Sequence, residues 1–226
     1  MSERMIHGLV SALVLVGLAA TPGAGSDLLA PERLERVNVV AEAVEHRGKT
    51  AVRLVEAPGA TGDAETLAIV PGARLRDGTV EVEIAGAPRA GTEAGGARGF
   101  VGLAFRLQKD PLRYECFYLR PTNGRAEDQL RRNHTTQYIS HPDHPWHRLR
   151  KESPGVYESY VDLVPGEWAR VKIVVSGTEA RLYVHGAEQA SLIVKDLKLG
   201  ASEGAVALWI GPGTEAHFAG LRIDPR

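Results

Sequence analysis

The 226-residue sequence contains a single cysteine, Cys116, so no disulfide within the chain can hold the fold together. Stability therefore has to come from a hydrophobic core. Acidic and basic residues nearly cancel, 28 against 27, and the net charge is −1. This balance excludes the strongly basic surface that nucleic acids or anionic membranes select, and we expect neither as a partner.

The sequence also lacks a hydrophobic run of about 20 residues, the length that a membrane-spanning helix requires. Its longest apolar stretch, residues 8–20, follows a polar N-terminus that carries Arg4. This arrangement is typical of a cleavable secretion signal. Small residues at Ala24 and Ser26 predict a signal peptide over 1–26, which would leave a secreted or periplasmic protein with no membrane contact.

No fixed-period repeat is present, which excludes solenoids and propellers. From Thr50 onward, short alternating runs are separated by Gly, Pro, Asp and Asn, as in sandwiches of antiparallel strands. We predict one domain over 27–226, because a chain of this length fits a single all-β core. Residues 31–35 favour one helical turn, and residues 86–99 favour a mobile surface loop. The predicted strands are 51–55, 67–70, 79–85, 100–108, 114–120, 136–140, 156–164, 169–176, 180–185, 191–198, 205–210 and 217–223.

Three groups of segments form a recognisable set of strands: GFVGLAFR (99–106), EWARVKIVVSG (167–177) with ARLYVHG (180–186), and GAVALWIG (204–211) with AHFAGLRI (216–223). Together they resemble the C-terminal strands of the concanavalin A-like lectin and glucanase superfamily. In that superfamily a tryptophan precedes a strand of the form V-K-I-x-V, a hairpin follows, and a glycine-led strand precedes a final F-x-x-L-x-I.

The resemblance covers residues 67–223 and implies an all-β fold: a concanavalin A-like jelly-roll sandwich of two antiparallel sheets. Lectins, laminin G-like modules and family-16 glucanases share this fold, so the fold alone does not specify the function. The chain is also similar to 3-keto-disaccharide hydrolase domains in its length, its export signal and its last strands.

Family-16 glucanases carry three acids with the spacing Glu-x-Asp-x-Glu, because alternate residues of a strand point to the same face. That pattern is absent here, since Tyr160 occupies the central position between Glu158 and Asp162. Residues four apart on a strand are separated by about 13 Å, whereas the carboxyl groups of glycosidases lie about 5 to 9.5 Å apart. The sequence therefore does not predict a hydrolase of the glucanase type.

The strand predicted over 114–120 alternates between two faces. Its apolar residue Phe117 is expected to face the core, which places Tyr118 and Arg120 on the open face. On the neighbouring strand, small residues together with Arg106 are expected on that same open face. Small residues beside Tyr and Arg predict a shallow groove that stacks against a sugar ring and binds its hydroxyls.

Residues 120–134 concentrate Arg, Asn and His directly after this strand. Binding residues are often found on loops held by a rigid scaffold, and we predict a glycan site here. A second interpretation stays open, in which the arginines pair with Glu127 and Asp128 on a loop surface. The predicted ligand-binding residues are Arg106, Tyr118, Arg120, Asn123, Arg125, Arg132, His134 and Tyr138.

Residues 141–147 contain three histidines separated by prolines. A polyproline II segment places residues three apart at about 9 Å from each other, too far for three imidazoles to reach one ion at about 2 Å. We therefore predict no metal site and no cofactor. Instead, Trp146 and one histidine are expected at the rim of the groove.

Three hypotheses follow from these patterns. The first is an exported domain that binds a glycan or small saccharide. The resemblance to 3-keto-disaccharide hydrolases implies instead a glycoside-cleaving enzyme, with His134 or His147 as its base. The third is an interaction module with an unused groove. Convergence of Arg120, His134, His147 and Glu158 in one pocket would support chemistry, and their scatter would support binding or no ligand.

Overall fold

Strands form along most of the chain because apolar and polar residues alternate. In residues 169–176 the odd-numbered side chains are buried and the even-numbered ones are more exposed, as expected for a strand with one face in a core. The computed structural model describes residues 1, 28–60, 64–92, 96–110 and 112–226. Residues 2–27 of the predicted signal peptide therefore lie outside the described residues.

The described residues form fourteen strands and two short α-helices, α1 (Gln129–Arg132) and α2 (Trp146–Glu152). None of the described helices has the length and hydrophobicity needed to cross a membrane. The strands are β1 (Glu35–Val37), β2 (Val39–His46), β3 (Lys49–Glu56), β4 (Leu67–Leu75), β5 (Gly78–Pro88), β6 (Val101–Lys109), β7 (Leu112–Leu119), β8 (Thr136–His141), β9 (Glu158–Ser159), β10 (Ala169–Ser176), β11 (Glu179–Val184), β12 (Leu192–Val194), β13 (Gly204–Ile210) and β14 (Thr214–Pro225).

The strands pair into two antiparallel sheets of seven strands each, which we call sheet I and sheet II. Sheet I has the order β1-β4-β13-β6-β7-β8-β9, and sheet II has the order β12-β11-β10-β5-β14-β3-β2. The main core lies between them and includes Phe105 and Phe117 from sheet I and Phe218 from sheet II. The predicted fold class, a jelly-roll sandwich of two antiparallel sheets, is confirmed.

Each of the twelve predicted strand segments contains a strand, but two were predicted too long. Only Glu158–Ser159 of 156–164 and only Leu192–Val194 of 191–198 pair with a neighbour. The helical turn expected near Pro31 is present as a 3₁₀ turn over Pro31–Arg33. β1 and β2 were not predicted, because several residues of these strands are exposed and their apolar alternation is weak.

Two local features of β6 shape the face of sheet I that carries the site. Gly102 lies so close to β7 that a Cβ atom there would be 2.2 Å from the carbonyl oxygen of Phe117. Further along, the pairing register shifts between Phe105 and Gln108, and Arg106 adopts a φ of +53°. This irregularity reverses which side chains face outward at the end of the strand.

Candidate functional site

The outer face of sheet I, which points away from sheet II, carries a second apolar cluster. Alternation along the strands separates its side chains from the main core. Cys116 is fully buried within it, and this burial raises the pKa of the thiol well above its ordinary value. The buried members are Leu67, Ile69, Ala104, Leu107, Tyr114, Cys116, Tyr118, Ala207 and Trp209.

A polar chain runs over one end of this cluster. The Trp209 indole donates to the Tyr114 hydroxyl at 3.2 Å, and Tyr114 in turn donates to the Glu65 carboxylate. His141 stacks on Tyr114 and places its Nδ1 3.2 Å from Glu65. Burial raises the pKa of Glu65, but the hydrogen bonds from His141 and Tyr114 outweigh it, and the net pKa lies below its ordinary value.

At the other end of the cluster, beyond the last residue of β7, lies a cavity of about 460 Å³. Four parts of the chain build its walls: the segment before β6, the turn after β7, α1 with the residues on either side of it, and α2. The lining residues are Arg98, Phe100, Arg120, Asn123, Asp128, Leu130, Arg131, His134, Trp146 and Arg150.

Arg120 forms the floor of the cavity, and its side chain is 5% exposed. Its guanidinium donates to the Tyr118 hydroxyl at 2.8 Å, the Gln137 side chain at 3.1 Å and the His134 carbonyl at 3.1 Å. It also lies 5.3 Å from the centre of the Phe100 ring. The Nε–H of Arg120 is buried and has no hydrogen-bond partner among the described residues.

Asn123 is a buried amide that organises the neighbouring arginines. Its Nδ2 donates to the His134 carbonyl at 3.2 Å. Its Oδ1 accepts from Arg98 Nη1 at 3.3 Å and from Arg131 Nε at 2.9 Å. Burial, together with repulsion from Arg131 and Arg120, lowers the pKa of Arg98. One neutral side chain thus holds two cations at the same wall.

Trp146 and Arg150 lie one turn apart on α2 and therefore share a face. The Arg150 guanidinium lies 4.8 Å from the centre of the Trp146 ring and donates to both carboxylate oxygens of Glu158, with Nη2 at 2.7 Å from Oε2. Trp146 remains 42% exposed. Part of its ring is therefore open to a ligand at the edge of the cavity.

His134 closes the cavity beside this ion pair. Its Nε2 lies 3.2 Å from Glu158 Oε1, and its side chain is 16% exposed. Burial lowers the pKa of His134; Glu158 opposes this shift, and Arg150 and Arg120 add to it. The net shift is downward, so the imidazole is neutral at neutral pH.

A second cavity of about 590 Å³ adjoins the first and shares Leu130, His134 and Arg150 with it. Glu158 and Tyr160 form part of its lining. We call the two cavities together the groove. It lies at the end of sheet I where β7 and β9 end and β8 begins.

The structure brings together part of the predicted set. Arg120, Asn123 and His134 line the groove, and Trp146 stands at its rim as expected. Tyr118 is on the predicted face, but it is only 2% exposed, packed between Phe100, Trp209 and Arg120. It supports Arg120 from below and presents no free ring surface.

Two predicted residues face away from the groove. Arg106 is fully buried at the other end of β6, where its guanidinium donates to the carbonyls of Arg76, Gly177 and Gly200. Its expected position on the open face is wrong, because of the irregularity in β6. Tyr138 points into the main core and donates to Glu115 at 2.6 Å, while the neighbouring Gln137 faces the site.

Three further candidates lie outside the groove lining. Arg125 forms a two-pronged ion pair with Asp162, and Arg132 donates to Gln129 at 2.7 Å. His147 is exposed on α2 beside Trp146. Arg125 and Arg132 thus pair with residues other than Glu127 and Asp128, the partners that the alternative interpretation named.

The groove residues that sequence reasoning did not assign to the site include Arg98, Phe100, Arg131 and Arg150. They come from separate segments that meet only in the fold. One local signal was available, because Trp146 and Arg150 have the spacing of one helical turn.

In the described part of the chain, no three His, Cys, Asp or Glu side chains are placed to hold a metal ion.

Neither the protein-family models nor the curated proteins contain a match to the chain. Several solved structures, however, are similar to the chain. A carbohydrate-binding module, CBM66, from Bacillus subtilis is similar with a TM-score of 0.57 at 15% identity, over 85% of this chain and 95% of that one. A Bacillus subtilis protein of unknown function with a galectin-like fold is similar with a TM-score of 0.52 at 12% identity, over 85% and 88%. At these identities the likeness concerns the fold, and the predicted resemblance to lectin-like jelly rolls is confirmed at that level.

Proposed function

We propose that the protein is an exported carbohydrate-binding domain that holds a glycan or small saccharide in the groove. The observation that carries this proposal is the composition of the groove's first cavity. Its aromatic rings, Phe100 and Trp146, border a wall of guanidinium and imidazole groups. Aromatic rings pack on the apolar faces of sugars, and fixed guanidinium donors bind their oxygens.

The size and rigidity of the groove fit this role. Its first cavity, about 460 Å³, falls within the range of small-ligand sites, roughly 300 to 1,000 Å³. The donors are held in place before a ligand arrives, since Tyr118, Gln137 and Asn123 fix the arginines. Such preorganisation reduces the entropy lost on binding. The CBM66 module with the similar fold is itself described as carbohydrate-binding.

A glycan array with purified protein tests the proposal. Trp146→Ala is expected to lose most of the retained signal without a change in melting temperature, because the exposed ring contributes to binding more than to the core. Ile193→Ala is a matched control, since Ile193 is 41% exposed on β12 of sheet II, away from the groove. Equal retention by Trp146→Ala and wild type, or no glycan retained by either, would contradict the proposal.

Export is part of the proposal and has its own test. The polar start, the apolar run over 8–20 and the small residues before Asp27 indicate a cleaved signal. N-terminal sequencing of the protein recovered from the periplasm or medium is expected to begin at Asp27 or within a few residues of it. Material that retains Met1 would refute this part.

A glycoside-cleaving enzyme of the 3-keto-disaccharide hydrolase type is the second candidate, and one observation favours it. His134 is a neutral imidazole next to a carboxylate, at 3.2 Å from Glu158, on the groove wall. Such an imidazole can accept a proton from a carbon acidified by an adjacent ketone. Consumption of a 3-keto-glycoside by wild type, lost in His134→Ala and kept in His147→Ala, would place the protein in this class.

A further inference from the structure

The groove carries a net positive charge, which a site for neutral sugars does not require. Four arginines line its first cavity, whereas Asp128 is the only carboxylate among the described lining residues. Glu158 lines the adjoining second cavity and is engaged by Arg150 and Arg120. Two carboxylates against four guanidiniums leave two positive charges, and a neutral His134 adds none.

The excess charge is located at Arg98 and Arg131. Both guanidiniums donate to the same neutral oxygen, Asn123 Oδ1, and neither forms an ion pair with a carboxylate in the part of the chain that the structure describes. The nearby Asp128 is used otherwise, because its Oδ1 accepts the backbone N–H of Arg131 and caps α1. Two adjacent cations are therefore held at a wall without a counter-charge.

Donors for a ligand remain at this wall. A guanidinium carries five N–H donors, and among the described residues Arg98 directs a single nitrogen, Nη1, to a protein acceptor. The buried Nε–H of Arg120, which lines the same cavity, has no partner there either. A buried donor without a partner costs free energy, which a ligand acceptor would recover. Repulsion among the three arginines would fall at the same time.

We propose that the groove selects acidic saccharides, binding the anionic group of a sugar, a carboxylate or a sulfate ester, between the guanidiniums of Arg98 and Arg131. This inference rests on the proposed function and specifies its ligand class. Phe100 and Trp146 border the same cavity and contact the sugar ring beside the anionic group. The adjoining second cavity extends the site for a further sugar residue.

Calorimetric titration with three oligosaccharides tests the ligand class: an oligogalacturonate, its methyl ester and a sulfated oligosaccharide of the heparin type. The free acid is expected to bind at least about tenfold more tightly than its ester, because only the acid pairs with the two guanidiniums. Tight binding of the sulfated probe in place of the uronate would assign the anionic group to a sulfate ester. The ester binding as tightly as both charged probes would overturn the inference.

Substitutions of single arginines distinguish binding in the groove from non-specific attraction by the charge of the protein surface. Arg98→Gln and Arg131→Gln are each expected to weaken binding of the charged probe about tenfold or more while leaving the ester unchanged. Arg148→Gln is the matched control, because this exposed α2 arginine pairs with Glu152 and does not line the groove. Equal losses in all three variants would overturn the inference. Arg131→Lys is a second control, which keeps the positive charge and tests whether the loss in Arg131→Gln reflects misfolding. It is expected to retain more binding than Arg131→Gln.

The outcomes distinguish this inference from the proposed function. Binding of neutral glycans in the groove, with no preference for acidic ones, refutes the inference and leaves carbohydrate binding in place. Absence of binding to every neutral and acidic saccharide refutes both.

Discussion

Protonation of His217 is expected to destabilise the fold in mild acid. His217 lies on β14, its side chain is 8% exposed, and its ring stacks on His46 at 3.8 Å. Burial lowers its pKa to about 4; His46 and Arg53 add to the shift, and Glu215 opposes it. The native state therefore disfavours the proton that the unfolded chain accepts at its ordinary pKa of about 6.5.

The sign and magnitude follow from this difference. Because the folded pKa is lower than the unfolded one, the contribution to stability is complete above about pH 6.5 and is lost as the pH falls towards 4. Two and a half pKa units correspond to about 3 kcal/mol in total, of which about 2 kcal/mol is lost by about pH 5.

Urea unfolding of wild type and His217→Gln at about pH 7.5 and about pH 5 measures the effect. The variant removes the titrating group and keeps the Arg53–Glu215 ion pair, whose shortest contact is 2.6 Å. Its loss of stability between the two pH values is expected to be smaller than that of wild type by about 2 kcal/mol. The same pH dependence in both proteins would refute the assignment of the shift to His217.

Three substitutions test the packing around the site. Trp209→Ala is expected to cost about 3 to 5 kcal/mol by thermal melting, since the ring is 8% exposed; an unchanged melting temperature would contradict its place in the outer-face cluster. Gly102→Ala is expected to cost about 3 kcal/mol or more, because its Cβ would meet the backbone of Phe117; a soluble variant as stable as wild type would disprove that close approach. Arg106→Leu is expected to destabilise the fold by about 3 kcal/mol or more, because it leaves buried carbonyls without a hydrogen-bond donor. The folded fraction is expected to bind glycan as wild type does, and a loss of binding without a loss of stability would show that Arg106 belongs to the site.

Local alternation predicted the two faces of β7 correctly. Phe117 is in the main core, and Tyr118 is on the outer face, because a strand with one face in the core fixes the direction of every side chain. The same rule failed on β6. A register shift near Arg106 turns this residue inward and Leu107 outward, and nothing in the local apolar pattern marks a bulge at a non-glycine residue.

The groove was harder to predict than the strands, because its walls come from segments distant in sequence. Arg98 and Arg131 converge on Asn123 across 25 and 8 residues respectively, and no periodicity records such a meeting. The wrong placement of Tyr138 and the omission of its neighbour Gln137 have one cause. Both residues of β8 are buried, so burial alone does not show which of the two side chains faces the site.

The contacts of Glu158 bear on whether the groove binds or cleaves a glycan. A carboxylate that acts as nucleophile or base needs an oxygen directed at the substrate. Glu158 is 5% exposed in its side chain, accepts hydrogen bonds from Arg150 at both oxygens, and lies 3.2 Å from His134 and 4.0 Å from Arg120. Its charge is thus used to position cations. Because the buried carboxylate engages Arg150 and His134, the guanidiniums of Arg98 and Arg131 keep no carboxylate partner among the described residues, and under the proposed function the anionic group of the ligand supplies one.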